Sequence, residues 1–118
     1  MANENLDELL ERADNFKKEA DIAESKNEFR TAINLLLRAG ETFEKTAEEY
    51  EKKGALFARR ESRMYKMAYD VLNQAASLEK IHGNAFSYAR MVMRSYDAII
   101  KRTYAIDRIG EFALKMLE

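Results

Sequence analysis

The chain has no proline, no cysteine and no tryptophan, and only four glycines and one histidine among 118 residues. Proline and glycine are the strongest local breaks in regular structure. Their scarcity favours a few long helices over many short strands. Without cysteine there is no disulfide framework and no thiolate metal site, and the composition leans toward a cytoplasmic setting. No apolar run approaches the roughly 18 residues that would mark a membrane span. The first residues, Met1 to Asn5, lack the positive charge and apolar stretch of a secretory leader.

The single histidine narrows the chemistry further. Glu79 and His82 have the Glu-x-x-His spacing of a carboxylate-bridged di-iron site, but such a site needs a second pair, and no second histidine exists. His82 is expected in the last turn of a helix, where a cation is favoured by the helix dipole. No Gly-x-Ser-x-Gly elbow and no glycine-rich phosphate loop is present. Paired carboxylates such as Glu48 and Glu49 sit at exposed helical positions, where nothing would tune them for proton transfer. An enzyme is not expected, and no cofactor is implied.

What is present is helical periodicity. Nearly half the residues are apolar (47%), enough for a real core in one domain spanning 1–118. Between Asn27 and Gly54 the apolar or small residues Phe29, Ile33, Leu36, Gly40, Phe43, Ala47 and Tyr50 recur in alternating steps of four and three. That is the seam of a long helix laid against others. A first helix over about 5–25 is marked by Asn5 as N-cap with Glu8 three residues on, and by a seam of Leu6, Leu9, Ala13, Phe16, Ala20 and Ala23. Asn27 would cap a second helix over about 28–53. Gly40 lies within its seam at a cost of about 1 kcal/mol, to be recovered by close packing, with the alanine end of the first helix as the expected neighbour.

A third helix over about 55–81 carries two stripes, one through Phe57, Met64, Ala68 and Val71, the other through Ala58, Tyr65, Tyr69 and Leu72. Glu61 interrupts the first stripe, so that end is expected to be open to water. A fourth helix over about 84–117 has its expected seam at Ala85, Ala89, Val92, Tyr96, Ile99, Thr103, Ile106 and Gly110. It also carries many further apolar residues off the seam. Its last turns, from Ile106 to Leu117, are expected to overhang the other helices without a partner. Turns this short make neighbours antiparallel, so the expected fold is all-α: an up-and-down antiparallel four-helix bundle.

Residues 20–39, with Ala20, Ala23, Asn27, Phe29, Ala32, Ile33, Leu36 and Ala39, resemble the helical hairpin of tetratricopeptide repeats. They are also similar to the first hairpin of MIT (microtubule-interacting and trafficking) domains and of SNAP-type trafficking adaptors. Tyr65, Ala68, Leu72, Ala75 and Leu78 resemble the third helix of an MIT domain. Together these cover about 20–78. The usual turn glycine is Asn27 here and no proline ends the second helix, so a bundle containing such a hairpin is expected rather than a superhelical array. The resemblance implies a groove between helices that binds a peptide, and a partner in trafficking or linked to an ATPase.

Charge is unevenly spread. Residues 1–54 carry 14 acidic and 9 basic side chains, whereas residues 55–118 carry 7 acidic and 11 basic. The halves are expected to neutralise each other in part, or to leave a basic face for an acidic partner. The candidate partner-binding residues lie on the third helix: Arg59, Arg60, Arg63, Tyr65, Lys66 and Tyr69, a tyrosine pair rimmed by cations. Ile109, Phe112 and Met116 are the candidate self-association residues. The function expected is non-catalytic: an interaction module for a protein or peptide through helices three and four, with a homodimer as one form of it. Two alternatives stand beside it. One is a bundle holding a small apolar ligand or nucleotide among its methionines. The other is a nucleic-acid contact through Arg59, Arg60, Arg63 and Arg94, which the pI near 6.0 disfavours.

Overall fold

The computed structural model describes residues 5–118; residues 1–4, where the sequence showed no leader, lie outside the described part. Four helices follow one another: α1 (Leu6–Ser25), α2 (Phe29–Lys52), α3 (Ala58–His82) and α4 (Ala85–Leu117). A short 3-10 turn, Ala55–Phe57, leads into α3. No strand occurs among the described residues.

The helix ends follow from local hydrogen bonding. At the start of α1, the Asn5 side chain accepts from the Glu8 amide at 2.8 Å, satisfying a donor the helix cannot. Asn84 does the same for Ser87 at 2.8 Å at the start of α4. Asn27 does something other than cap α2. It adopts a left-handed backbone, φ 61°, and closes α1: its amide donates to Glu24 O, and the Glu28 amide reaches back to Ala23 O. This is the paired-bond ending usually given to glycine, which asparagine also tolerates. Glu28 then precedes α2 without a side-chain cap.

Packing runs in chain order, α1 principally on α2, α2 on α3 and α3 on α4. The core centres on α2 and α3, where Leu36, Phe43, Ala68, Leu72 and Ala75 are fully buried. Leu9, Ala13 and Ala20 bring α1 into contact through a largely small-residue face. Gly40 is the close approach of the core, but its neighbour is α3 rather than α1. A Cβ placed on Gly40 would lie 2.9 Å from Leu72 Cγ. The expected alanine contact is therefore replaced by a leucine lying directly over the glycine.

Two carboxylates are buried in α3, and both answer to an arginine from another helix. Glu79 is paired with Arg30 Nη1 of α2 at 2.5 Å. Gly83 leaves the room that the Glu79 carboxylate occupies, since a Cβ there would collide with its Oε2. Glu61 is 1% exposed and is paired with Arg108 of α4. The interruption of the stripe at Glu61 predicts an end of α3 open to water. Arg108 closes it, because a carboxylate can be buried where a guanidinium arrives to pair with it.

Candidate functional site

The fourth helix is the element that most departs from the sequence expectation, and it sets the surface. Its buried residues are Met91, Ser95, Ala98 and Ala105. The expected seam through Val92, Tyr96, Ile99 and Thr103 lies one position away, roughly 100° around the helix. Small residues explain the choice. Ser95, Ala98 and Ala105 let α4 approach α3 closely. The Ser95 hydroxyl is satisfied by donating to Val92 O at 2.7 Å. Apolar count could not locate this seam, because the opposite face is the more apolar of the two.

That opposite face is uncovered. Phe86 is 74% exposed and Met93 70%, with Tyr96, Ile100, Tyr104 and Leu114 also exposed. Scattered exposed hydrophobics are ordinary, but here they gather on one face of a helix of 33 residues, interrupted by Thr103 and Asp107. No helix among the described residues is long and apolar enough to cross a membrane.

The end of α4 is partly covered. Ile109 and Phe112 are half-buried and line a cleft with Ala55 and Leu56 of the 3-10 turn. The last turns thus have a neighbour in the chain, contrary to the expected free overhang. Met116 lies beyond that contact and is 72% exposed.

On α3 the candidate residues separate. Arg59, Arg60 and Arg63 are exposed, and Lys66 is half-exposed. Arg59, Arg63 and Lys66 border a shallow cleft with Met67 and Arg102 of α4. Lys66 is tied to Asp70 at 2.5 Å and lies over the Tyr69 ring. Arg60 lies over Phe57. Tyr65 is 3% exposed and points into the core side of α3, so it does not share the surface with the cations. Burial pushes its phenol well above the ordinary range, with the charges of Glu61 and Glu51 adding to the effect. It stays a neutral hydroxyl.

Tyr65 and Glu61 instead border an open cleft of about 270 Å³ between α2, α3 and α4, with Glu48 and Glu51 on one side and Lys101 and Arg108 on the other. Burial raises the Glu61 pKa even against the Arg108 bond that lowers it. Glu44, deeper along α2, is raised by burial as well, partly opposed by Lys101 at 3.9 Å. Lys101 and Arg94, 3.6 Å from Glu41, tie the basic half of the chain to the acidic half. No group of three or more His, Asp or Glu side chains among the described residues is placed to hold a metal ion. His82 stacks on Phe29 with ring centroids 3.5 Å apart, which accounts for it without a ligand role.

Sequence reasoning missed Arg108 and Arg30, the partners of the two buried carboxylates. Their only sequence signal was the acid in an apolar stripe, which implies a cation from elsewhere without naming it. Compared with known proteins, the chain matches no protein-family model, no curated protein and no solved structure.

Proposed function

We propose that this chain is a non-catalytic helical interaction module that binds through helices α3 and α4, with the outward face of α4 as its main contact surface and the exposed arginines of α3 as a separate basic patch. The observation that carries this reading is a helix that spends its small residues on its own core and turns Phe86, Met93, Tyr96 and Ile100 to solvent. Burying such groups against a partner contributes roughly 25 cal/mol per Å² before association costs are met. Arg59, Arg60 and Arg63, exposed on α3, would raise the rate of encounter with an acidic partner. The resemblance to tetratricopeptide, MIT and SNAP-type hairpins agrees with a partner that is a protein or peptide.

The reading includes an up-and-down antiparallel order of the helices. The cross-helix pairs support it: Arg30 with Glu79 and Gly40 with Leu72 run in opposite senses along α2 and α3, as do Glu61 with Arg108 and Lys80 with Tyr88 along α3 and α4.

The test is a photo-crosslinking residue placed at Ile100, with the exposed Glu19 of α1 as control. A discrete polypeptide adduct at Ile100, absent at Glu19 and lost with Met93→Asp, is the expected outcome. No polypeptide adduct at Ile100 would end the reading.

A further inference from the structure

We propose that the outward face of α4 pairs, antiparallel, with the same face of a second copy of this chain. This rests on the reading of that face as the contact surface and names its occupant. From Phe86 to Leu117 steps of three and four residues follow this face through Met93, Tyr96, Ile100 and Leu114, with Thr103, Asp107 and Gly110 between the last two. That is the spacing of a two-helix seam.

The glycine on this stripe supplies an independent observation. Gly110 sits within the 33-residue helix, and a Cβ added to it would meet nothing within 4 Å. A glycine inside a helix costs about 1 kcal/mol relative to alanine. Nothing within the described chain requires it, so its purpose lies with whatever covers this face.

An antiparallel pair about a two-fold axis midway between Lys101 and Arg102 gives it one. Met93 then lies over the second copy's Gly110, so the bulky side chain meets the gap. Ala89 likewise meets the second copy's Leu114. Tyr96 comes opposite the second copy's Asp107, a hydroxyl donor beside a carboxylate, which accounts for an acid on an otherwise apolar stripe. On the rim, Arg90 faces the second copy's Glu111, and the symmetry repeats every pair twice. Neither Arg90 nor Glu111 is held in an ion pair within the described chain. The parallel alternative is worse at each of these points. It sets Asp107 against Asp107 in the seam and Gly110 against Gly110, and it parts Arg90 from Glu111, because rim residues of one type meet only in an antiparallel pair.

The face has apolar surface to bury: Phe86 is 74% exposed, Met93 70%, Leu114 65% and Leu117 85%, where a standard stable interface buries roughly 800 Å² per partner.

The test is sedimentation velocity of the full chain over a range of concentrations, with far-UV circular dichroism as the check on folding. The expected result is a species of twice 13.7 kDa, converted to monomer by Ile100→Asp with helical content unchanged. Arg90→Glu should weaken the dimer about tenfold, and adding Glu111→Arg to the same chain should restore it. A chain that stays monomeric at every concentration overturns the proposal. So does a dimer indifferent to Ile100→Asp, or one in which the charge swap gives no rescue. A monomer that still forms the Ile100 photo-adduct with a different polypeptide overturns the second copy but leaves the contact surface standing. A monomer with no polypeptide adduct removes both.

Discussion

Gly40→Ala tests the packing of the core on a single methyl group. The new carbon would lie 2.9 Å from Leu72 Cγ and 3.0 Å from Cδ2. Carbon pairs pack best at about 3.5–4.0 Å, so the methyl intrudes by roughly 0.5–1 Å. Leu72 is fully buried and cannot swing away into solvent. Overpacking of this kind costs about 1–3 kcal/mol, while replacing glycine by alanine inside a helix returns about 1 kcal/mol. The net expectation is a loss of about 1 kcal/mol, or roughly 3–5 °C in Tm for a domain of this size. Leu72→Ala alone should cost about 2–5 kcal/mol. In the double variant the Gly40 methyl occupies part of the space vacated by Leu72. The combined loss should therefore fall short of the sum by about 1–2 kcal/mol. Urea and thermal melts followed by far-UV circular dichroism, all at one protein concentration, measure each term. A Gly40→Ala protein more stable by the full helix-propensity gain, or strictly additive losses, would refute the contact between α2 and α3 as described.

Other outcomes follow from the same packing. Leu36→Ala, at a fully buried site, should lower stability by about 2–5 kcal/mol in the same melts; an unchanged midpoint would contradict its burial. Asn5→Ala removes the acceptor of the Glu8 amide and should cost about 0.5–2 kcal/mol, seen as a lower urea midpoint with an unchanged slope. Glu61→Gln addresses pH. Because burial raises the folded-state pKa of Glu61 above its ordinary value near 4.5, the folded state binds the extra proton in the window between the two values. Its contribution to stability is then greatest below the ordinary value and is lost as pH rises through the raised one. The stability difference between Glu61→Gln and the parent should therefore shift in favour of the variant as pH rises from about 4.5 toward neutrality. A shift the other way would mean that the Arg108 pair outweighs desolvation.

The four helices of the described residues, with no strand among them, were legible in the sequence because the periodicity is long and the breakers are few. Residues with one dominant environment could be placed. Leu36, Phe43 and Ala47 have no alternative to the interior, and Asn5 and Asn84 have side chains suited to helix starts. Positions whose role depends on another helix could not. Gly40 announces a close approach, but only the fold identifies Leu72 as the neighbour. Glu61 looks like an interruption until Arg108, 47 positions later, is brought to it.

The fourth helix shows the limit most clearly. Sequence patterning assigns the interior to the more apolar face, and here the chain packs on Met91, Ser95, Ala98 and Ala105 instead. Two faces with helical periodicity compete, and the smaller residues win the contact with α3 because they permit a closer approach. On α3, Tyr65 follows its apolar stripe into the interior and so parts from the exposed cations beside it in sequence. Of the expected self-association residues, Ile109 and Phe112 are half-buried beside the 3-10 turn and Met116 is exposed.

The self-complementarity of that open face can be tested directly because the chain has no cysteine of its own. Met93→Cys and Gly110→Cys proteins, mixed in equal amounts and oxidised mildly, should yield the mixed disulfide in excess over either like pair. Predominance of the Met93→Cys like pair, or no disulfide at concentrations where the chain sediments as a single species, would contradict the antiparallel pairing of α4.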